Sequence, residues 1–124
     1  MAALEYVQIA CRGDNYAVLI HDTATGATAC VDTPALEPIA DELDRRGWRL
    51  GEIWTTHAHG DHVEGHLALK QRHGATIYGP KGEAERVPGL DVAVSAGTPM
   101  RFAGRDVLVI DTPGHSRGHV AFYI

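Results

Sequence analysis

Apolar and polar residues alternate along most of this chain, and the period changes at a few well-marked points. Leu4 to Ala10 and Tyr16 to Ile20 have the make-up of strands, and Arg12-Gly13-Asp14-Asn15 between them is a cluster of turn formers. Thr25-Gly26 marks the next turn, before a third strand over Ala27 to Val31. Three short strands joined by tight turns predict an antiparallel meander. The period then lengthens. Thr33 is placed to cap a helix and Pro34 to begin it. The helix runs over Ala35 to Arg46, with Leu36, Ile39, Ala40 and Leu43 as its apolar stripe, and Gly47 ends it.

A short β-branched strand follows at Gly51 to Thr56, and after a polar loop Leu67 to His73 reads as a second helix with a basic last turn. Ala75 to Tyr78 is a strand closed by Gly79-Pro80, and Lys81 to Arg86 a helical turn. Val87 to Ala96 is an irregular connection holding a brief strand. Thr98 to Phe102 and Asp106 to Ile110 flank Ala103-Gly104-Arg105 as a hairpin. Because Val107 to Ile110 is apolar without interruption, it predicts a central strand covered on both faces. Val120 to Ile124 is the last strand, and no repeat or low-complexity segment interrupts the series.

Composition narrows the classes open to such a chain. At 124 residues it is one domain at most, residues 1–124, with 44% hydrophobic and 22% charged positions, the profile of a globular protein. A formal charge of −5 and the lack of a Lys/Arg run argue against a nucleic-acid surface. No apolar run approaches a membrane span, and the N-terminus lacks a basic-then-apolar signal pattern, so a cytoplasmic location is expected. Cys11 and Cys30 lie in apolar stretches and are expected as buried free thiols.

The candidate chemistry lies in the loop between the fourth strand and the second helix, His57-Ala58-His59-Gly60-Asp61-His62. In an extended backbone His57 and His59 point to the same side, and Asp61 and His62 are placed to reach a neighbouring point. Imidazoles with a carboxylate suit zinc, and iron and manganese accept them as well. Asp61 with Glu64 also fits a helix capping box, so Asp61 has two readings. His66 reads as an exposed helix residue. A second constellation, Thr112-Pro113-Gly114-His115-Ser116-Arg117-Gly118-His119, follows the buried strand. By itself His115 is as easily a loop residue as a ligand. With His57 and His59 it would make three imidazoles and leave a position open, as in catalytic zinc sites. His119 is given a supporting or packing role.

These two stretches, in this order, resemble the metallo-β-lactamase superfamily and, within it, the glyoxalase II group of hydroxyacylglutathione hydrolases. His57-Ala58-His59-Gly60-Asp61-His62 matches the H-x-H-x-D-H motif, and Thr112 to His119 matches T-P-G-H-[ST]-x-G-H. Asp14 to Ile20 resembles the group's first hairpin. The resemblance implies an α/β (α+β) class, about the first half of an αββα sandwich with helices outside a mixed sheet. By residue it implies His57, His59 and His115 on a first metal, and Asp61 and His62 on a second. It also implies a thioester such as S-lactoylglutathione as substrate, a metal-bound hydroxide as nucleophile, and Asp61 to orient it.

The family's bridging aspartate and its further histidine, expected beyond Val120 to Ile124, have no counterpart here. Much of the glutathione-binding surface belongs to that part too. The chain is therefore expected to be an N-terminal half, with one metal at the His57/His59/His115 site and a weak second site. A sheet face left bare by the missing half is expected to be covered by a second copy, as a homodimer or swapped assembly. Alternatives are an iron-dependent persulfide dioxygenase-like enzyme and a catalytically silent metal-binding half-domain that needs a partner chain. Lactamase activity fits less well, for want of an export signal.

Overall fold

A computed structural model describes residues 3–11, 15–56, 63–111 and 120–124. Among these described residues nine strands form two sheets. β1 (Leu4–Cys11), β2 (Asn15–Asp22) and β3 (Thr28–Val31) make the predicted antiparallel meander, with Leu19 opposite Val7 on one side and Cys30 on the other. From β3 onwards the sheet turns parallel, adding β4 (Glu52–Trp54), β5 (Thr76–Pro80) and β6 (Val92–Val94) in sequence order. Parallel neighbours need crossovers, and α1 (Leu36–Arg46), α2 (His66–His73) and the 3₁₀ segment Lys81–Arg86 lie in them.

The helices follow their apolar stripes. α1 buries Ile39, Ala40 and Leu43, and Gly47 closes it at φ 70°, a left-handed conformation that glycine adopts without strain. Its start departs from expectation. Ala35 stands at the N-cap with extended backbone and no side-chain capping bond. Thr33, the predicted cap, turns its hydroxyl to His66.

Alternation along the strands gives the six-stranded sheet two buried faces. Leu19, Cys30 and Ile53 pack on the helix side, while Ile20, Ala29 and Trp54 pack on the other. The second sheet, β7 (Met100–Phe102), β8 (Arg105–Asp111) and β9 (Val120–Tyr123), is antiparallel and covers that other face. Its hairpin turns on Ala103 at φ 51° and Gly104 at φ 81°, the paired left-handed residues that match strand twist. Trp54 is the hub between the sheets. It is fully buried, edge-on to Phe102 at 5.5 Å and tilted on Phe122 at 5.4 Å. Its indole N–H donates to Glu52 Oε1 at 2.8 Å, so the one polar atom of the ring keeps a partner. At the sheet end where β2 finishes, Arg105 reaches across to Asp22 at 3.0 Å and ties the two sheets together.

Two expectations are corrected by this packing. The face of the first sheet away from the helices is not bare, because β7, β8 and β9 of the same chain lie on it. Nor is Val107 to Ile110 covered on both faces. Val107 and Val109 are buried, whereas Leu108 and Ile110 are 57% and 45% exposed, with Tyr123 beside Leu108 at 65%. A continuous apolar run reports that both faces avoid water, not whether the chain itself supplies both covers. Cys11 and Cys30 are buried free thiols, as expected, and burial pushes both thiol pKa values up.

Candidate metal centre

The predicted ligands His57, His59, Asp61, His62 and His115 lie outside the described residues, as does His119. The chain on either side of them is described, and it fixes where the two motif segments begin and end. β3 and β4 are parallel, so both finish at one end of the sheet. The segment 57–62 leaves from that end, where ligands of open α/β sheets collect. In the other sheet Asp111 pairs with Val120, so segment 112–119 starts and returns at adjacent strand positions. Val120 N–H then donates to the carbonyl of Thr56 at 2.9 Å. One hydrogen bond therefore joins the residue before the first motif to the residue after the second.

Thr56 is held on every side. Asp32 sits just past β3 at φ 60°, a left-handed conformation that aspartate tolerates better than most residues. From there its Oδ1 accepts from Thr56 N–H at 2.8 Å, and its Oδ2 accepts from the Thr56 hydroxyl at 2.7 Å. The Asp32 N–H itself donates to the Trp54 carbonyl at 2.8 Å, extending the β3–β4 ladder. Asp32 is 5% exposed, and a carboxylate is buried at this low cost only when donors face it.

The far end of the first motif is tied to the same place. Gly65 N–H donates to the Thr33 carbonyl at 2.9 Å. A Cβ on Gly65 would lie 3.2 Å from Thr33 Cβ, so glycine is what lets α2 approach this closely. His66, the next residue, is fully buried, which overturns its reading as an exposed helix residue. Its Nδ1 is 2.5 Å from Thr33 Oγ1 and its Nε2 is 2.7 Å from Thr55 Oγ1. Burial drives its pKa down to about 4, against the opposing charge of Asp32, so the ring is neutral at neutral pH.

The three described histidines are thus occupied with local structure. His66 bridges two threonines, His21 Nδ1 lies 2.7 Å from Thr28 Oγ1, and His73 Nδ1 accepts from Leu50 N–H at 3.1 Å. Among the described residues no three His, Cys, Asp or Glu side chains gather closely enough to hold a metal. The other five histidines all fall in the two motif segments. Nitrogen donors with one carboxylate are the donor set that zinc takes, so the residues of these segments fit that ion. What sequence reasoning missed is the frame of Asp32, Thr33, Thr55 and His66. A signal was available, since Asp32-Thr33 and Thr55-Thr56 each follow an apolar strand, but a helix cap explained the first pair without any distant partner.

No protein-family model matches the chain. Among curated proteins it is 54% identical over 124 residues to a hydroxyacylglutathione hydrolase of Rhizobium meliloti (strain 1021), covering 100% of this chain and 48% of the relative. It is 50% identical over 121 residues to the protein of the same name from Ruegeria pomeroyi, covering 98% and 48%. Among solved structures, ETHE1 from Myxococcus xanthus superposes with a TM-score of 0.81 at 27% identity, covering 96% of this chain and 53% of that one. The BLEG-1 B3 metallo-β-lactamase gives 0.84 at 21% identity, covering 96% and 66%, a likeness of fold alone. The chain spans about half the length of the curated relatives it matches. Along its whole length it resembles the hydroxyacylglutathione hydrolases, and it carries about half of a metallo-β-lactamase fold.

Proposed function

We propose that this chain carries the first-metal half of a metal-dependent thioester hydrolase, acting on a glutathione-derived thioester such as S-lactoylglutathione. The observation that carries this reading is 54% identity along the entire chain to a hydroxyacylglutathione hydrolase. The common anchor of the two motif segments, Thr56 to Val120, supports it. In this reading His57, His59 and His115 hold one zinc, iron or manganese being the alternatives, and Asp61 and His62 contribute to a weaker second position. When bound, the metal supplies Lewis acidity towards a carbonyl oxygen and towards water. Asp61 orients the attacking water, whose proton ends on the departing thiolate. The thiolate departs without strong acid assistance, and the products are a carboxylate and a thiol. Asp32 and His66 are buried and bonded to Thr33, Thr55 and Thr56 beside segment 57–62, a supporting rather than a reacting role. The reaction takes place in the cytoplasm.

Thiol release from S-lactoylglutathione tests the proposal. Release should stop on chelation, return with zinc, and be lost in His59→Ala; full activity in that variant overturns the reading. Metal content per chain sharpens it. About one zinc or iron per chain fits the three-histidine site, and close to two means that further ligands arrive from a second chain.

A second reading is supported by the half-length match and by the bare outer face of β8 and β9. Here the chain is a catalytically silent metal-binding half-domain, and no thiol release above a metal-only control would favour it. In both readings the patch of Leu108, Ile110 and Tyr123 is covered by a second copy, as an exposed apolar sheet face favours. A stable, folded monomer by sedimentation at micromolar concentration removes the dimer.

A further inference from the structure

His66 belongs to no motif that the sequence singles out, yet it occupies a distinctive position. It starts α2, is fully buried, and engages both ring nitrogens. Its two partners come from different elements. Thr33 follows β3 and Thr55 follows β4, and both threonines are fully buried. Thr55 lies two residues before His57 and His66 four residues after His62, so the Nε2 contact closes residues 55–66 into a side-chain-linked ring. Nδ1 fastens that ring to Thr33, whose carbonyl also holds Gly65. A neutral imidazole donates from one nitrogen and accepts at the other, and a threonine hydroxyl does either, so the bridge is complete in both tautomers.

We propose that His66 is a positioning residue for the metal-binding segment, fixing the separation of its two ends through Thr55 and Thr33 and thereby setting its affinity for a divalent cation. The proposal rests on the reading that residues 57–62 hold a metal. Ligands presented on a segment with fixed ends lose less freedom on binding than ligands on one whose ends drift. A hydrophobic residue at 66 fills the space but leaves both threonine hydroxyls without this partner. Asparagine places a polar atom near the position of Nδ1, and glutamine places one near Nε2, so the two contacts can be separated.

Zinc affinity measured by competition against a chromophoric chelator, on the full chain, tests this without any substrate. His66→Leu is expected to weaken zinc binding roughly 10–100-fold. Thr55→Val, which removes only the Nε2 partner, should show a loss of the same kind, and His66→Gln should retain more affinity than His66→Asn. Leu43→Ala, in the helix-side core and making none of the His66 contacts, serves as the stability control. It should lower the melting temperature while leaving zinc affinity unchanged. Wild-type affinity in both His66→Leu and Thr55→Val overturns the proposal. So does an equal loss in Leu43→Ala, which would reduce His66 to a general packing role. If His66→Leu does not fold, Thr55→Val and His66→Gln carry the test by themselves. A wild-type chain that takes up no zinc, iron or manganese overturns the metal reading itself and this proposal with it.

Discussion

The six-stranded sheet buries a carboxylate at each end, and the two are used differently. Asp22 closes β2. It accepts from Thr25 N–H at 2.9 Å and from the Thr25 hydroxyl at 2.6 Å, and faces Arg105 at 3.0 Å. Those Thr25 bonds first, and the guanidinium after them, hold its pKa down at about 2. Asp32, past the end of β3, grips Thr56, which is 24 residues away. The first carboxylate tightens a turn that the local sequence already specifies and rivets one sheet to the other. The second spans β3 and β4 and holds Thr56, the residue just before the segment proposed to bind metal. A buried aspartate with near neighbours as donors is a structural part of its turn. One whose donors lie far along the chain marks a place where tertiary structure is holding something in position.

Substitution at the two carboxylates should break the comparison most sharply. Asp32→Ala takes its carboxylate acceptor from the half-buried Thr56 N–H and hydroxyl, a loss of roughly 1–3 kcal/mol by denaturant titration. It should also weaken zinc binding about 10–100-fold. Asp22→Ala should lower the melting temperature yet leave zinc affinity at the wild-type value. Equal zinc affinity in both variants would erase the difference between the two ends.

Acid should unfasten the ends in separate windows. His66 has a folded pKa of about 4, below the ordinary histidine value of 6.5. The unfolded chain therefore binds the extra proton first, and stability falls as pH drops from about 6.5 to about 4, by up to about 3 kcal/mol. Asp22, at about 2 against an ordinary 3.8, contributes stability that is present above about 3.8 and lost as pH falls towards 2. Urea midpoints of wild type and His66→Leu across this range should differ in slope only in the upper window. A slope unchanged in His66→Leu assigns the acid loss to other groups.

Two glycines give the smallest effects and again separate the ends. At Gly65 a Cβ would press on Thr33 at 3.2 Å, so Gly65→Ala should cost about 1–3 kcal/mol through overpacking and disturb zinc binding. Gly26, in the turn beside Asp22, has open space around it but a φ of 77°. Gly26→Ala should cost about 1 kcal/mol through backbone strain and leave zinc affinity untouched. Thermal melts with and without zinc distinguish these two causes.

Much of this architecture is readable from local pattern. The meander of β1, β2 and β3 follows from alternation broken by turn formers, and α1 from a stripe of Ile39, Ala40 and Leu43 ended by Gly47. The hairpin at Ala103-Gly104 is equally local. The misreadings share one cause. Thr33 looks like a cap because capping is the nearest use for its hydroxyl, and His66 looks exposed because it opens a short helix whose apolar stripe is weak. Both are settled by a contact across 33 residues. Leu108 and Ile110 read as covered because the run is apolar, and exposure depends on what lies over the sheet. His57, His59, Asp61, His62 and His115 are proposed as metal ligands from chemistry and spacing, and they lie outside the described residues.

The sequence by itself determined which segments are strands and helices, where the chain turns, and which residue types carry metal chemistry, because each depends on neighbours a few positions away. Only the tertiary structure decided that β3, β4, β5 and β6 run parallel, that Thr56 meets Val120, and that Asp32, Thr33, Thr55 and His66 form one buried frame. Such pairings become favourable only after the chain has collapsed. A buried hydroxyl or carboxylate must then find whichever donor or acceptor the fold has brought beside it, and no local period encodes which one that is.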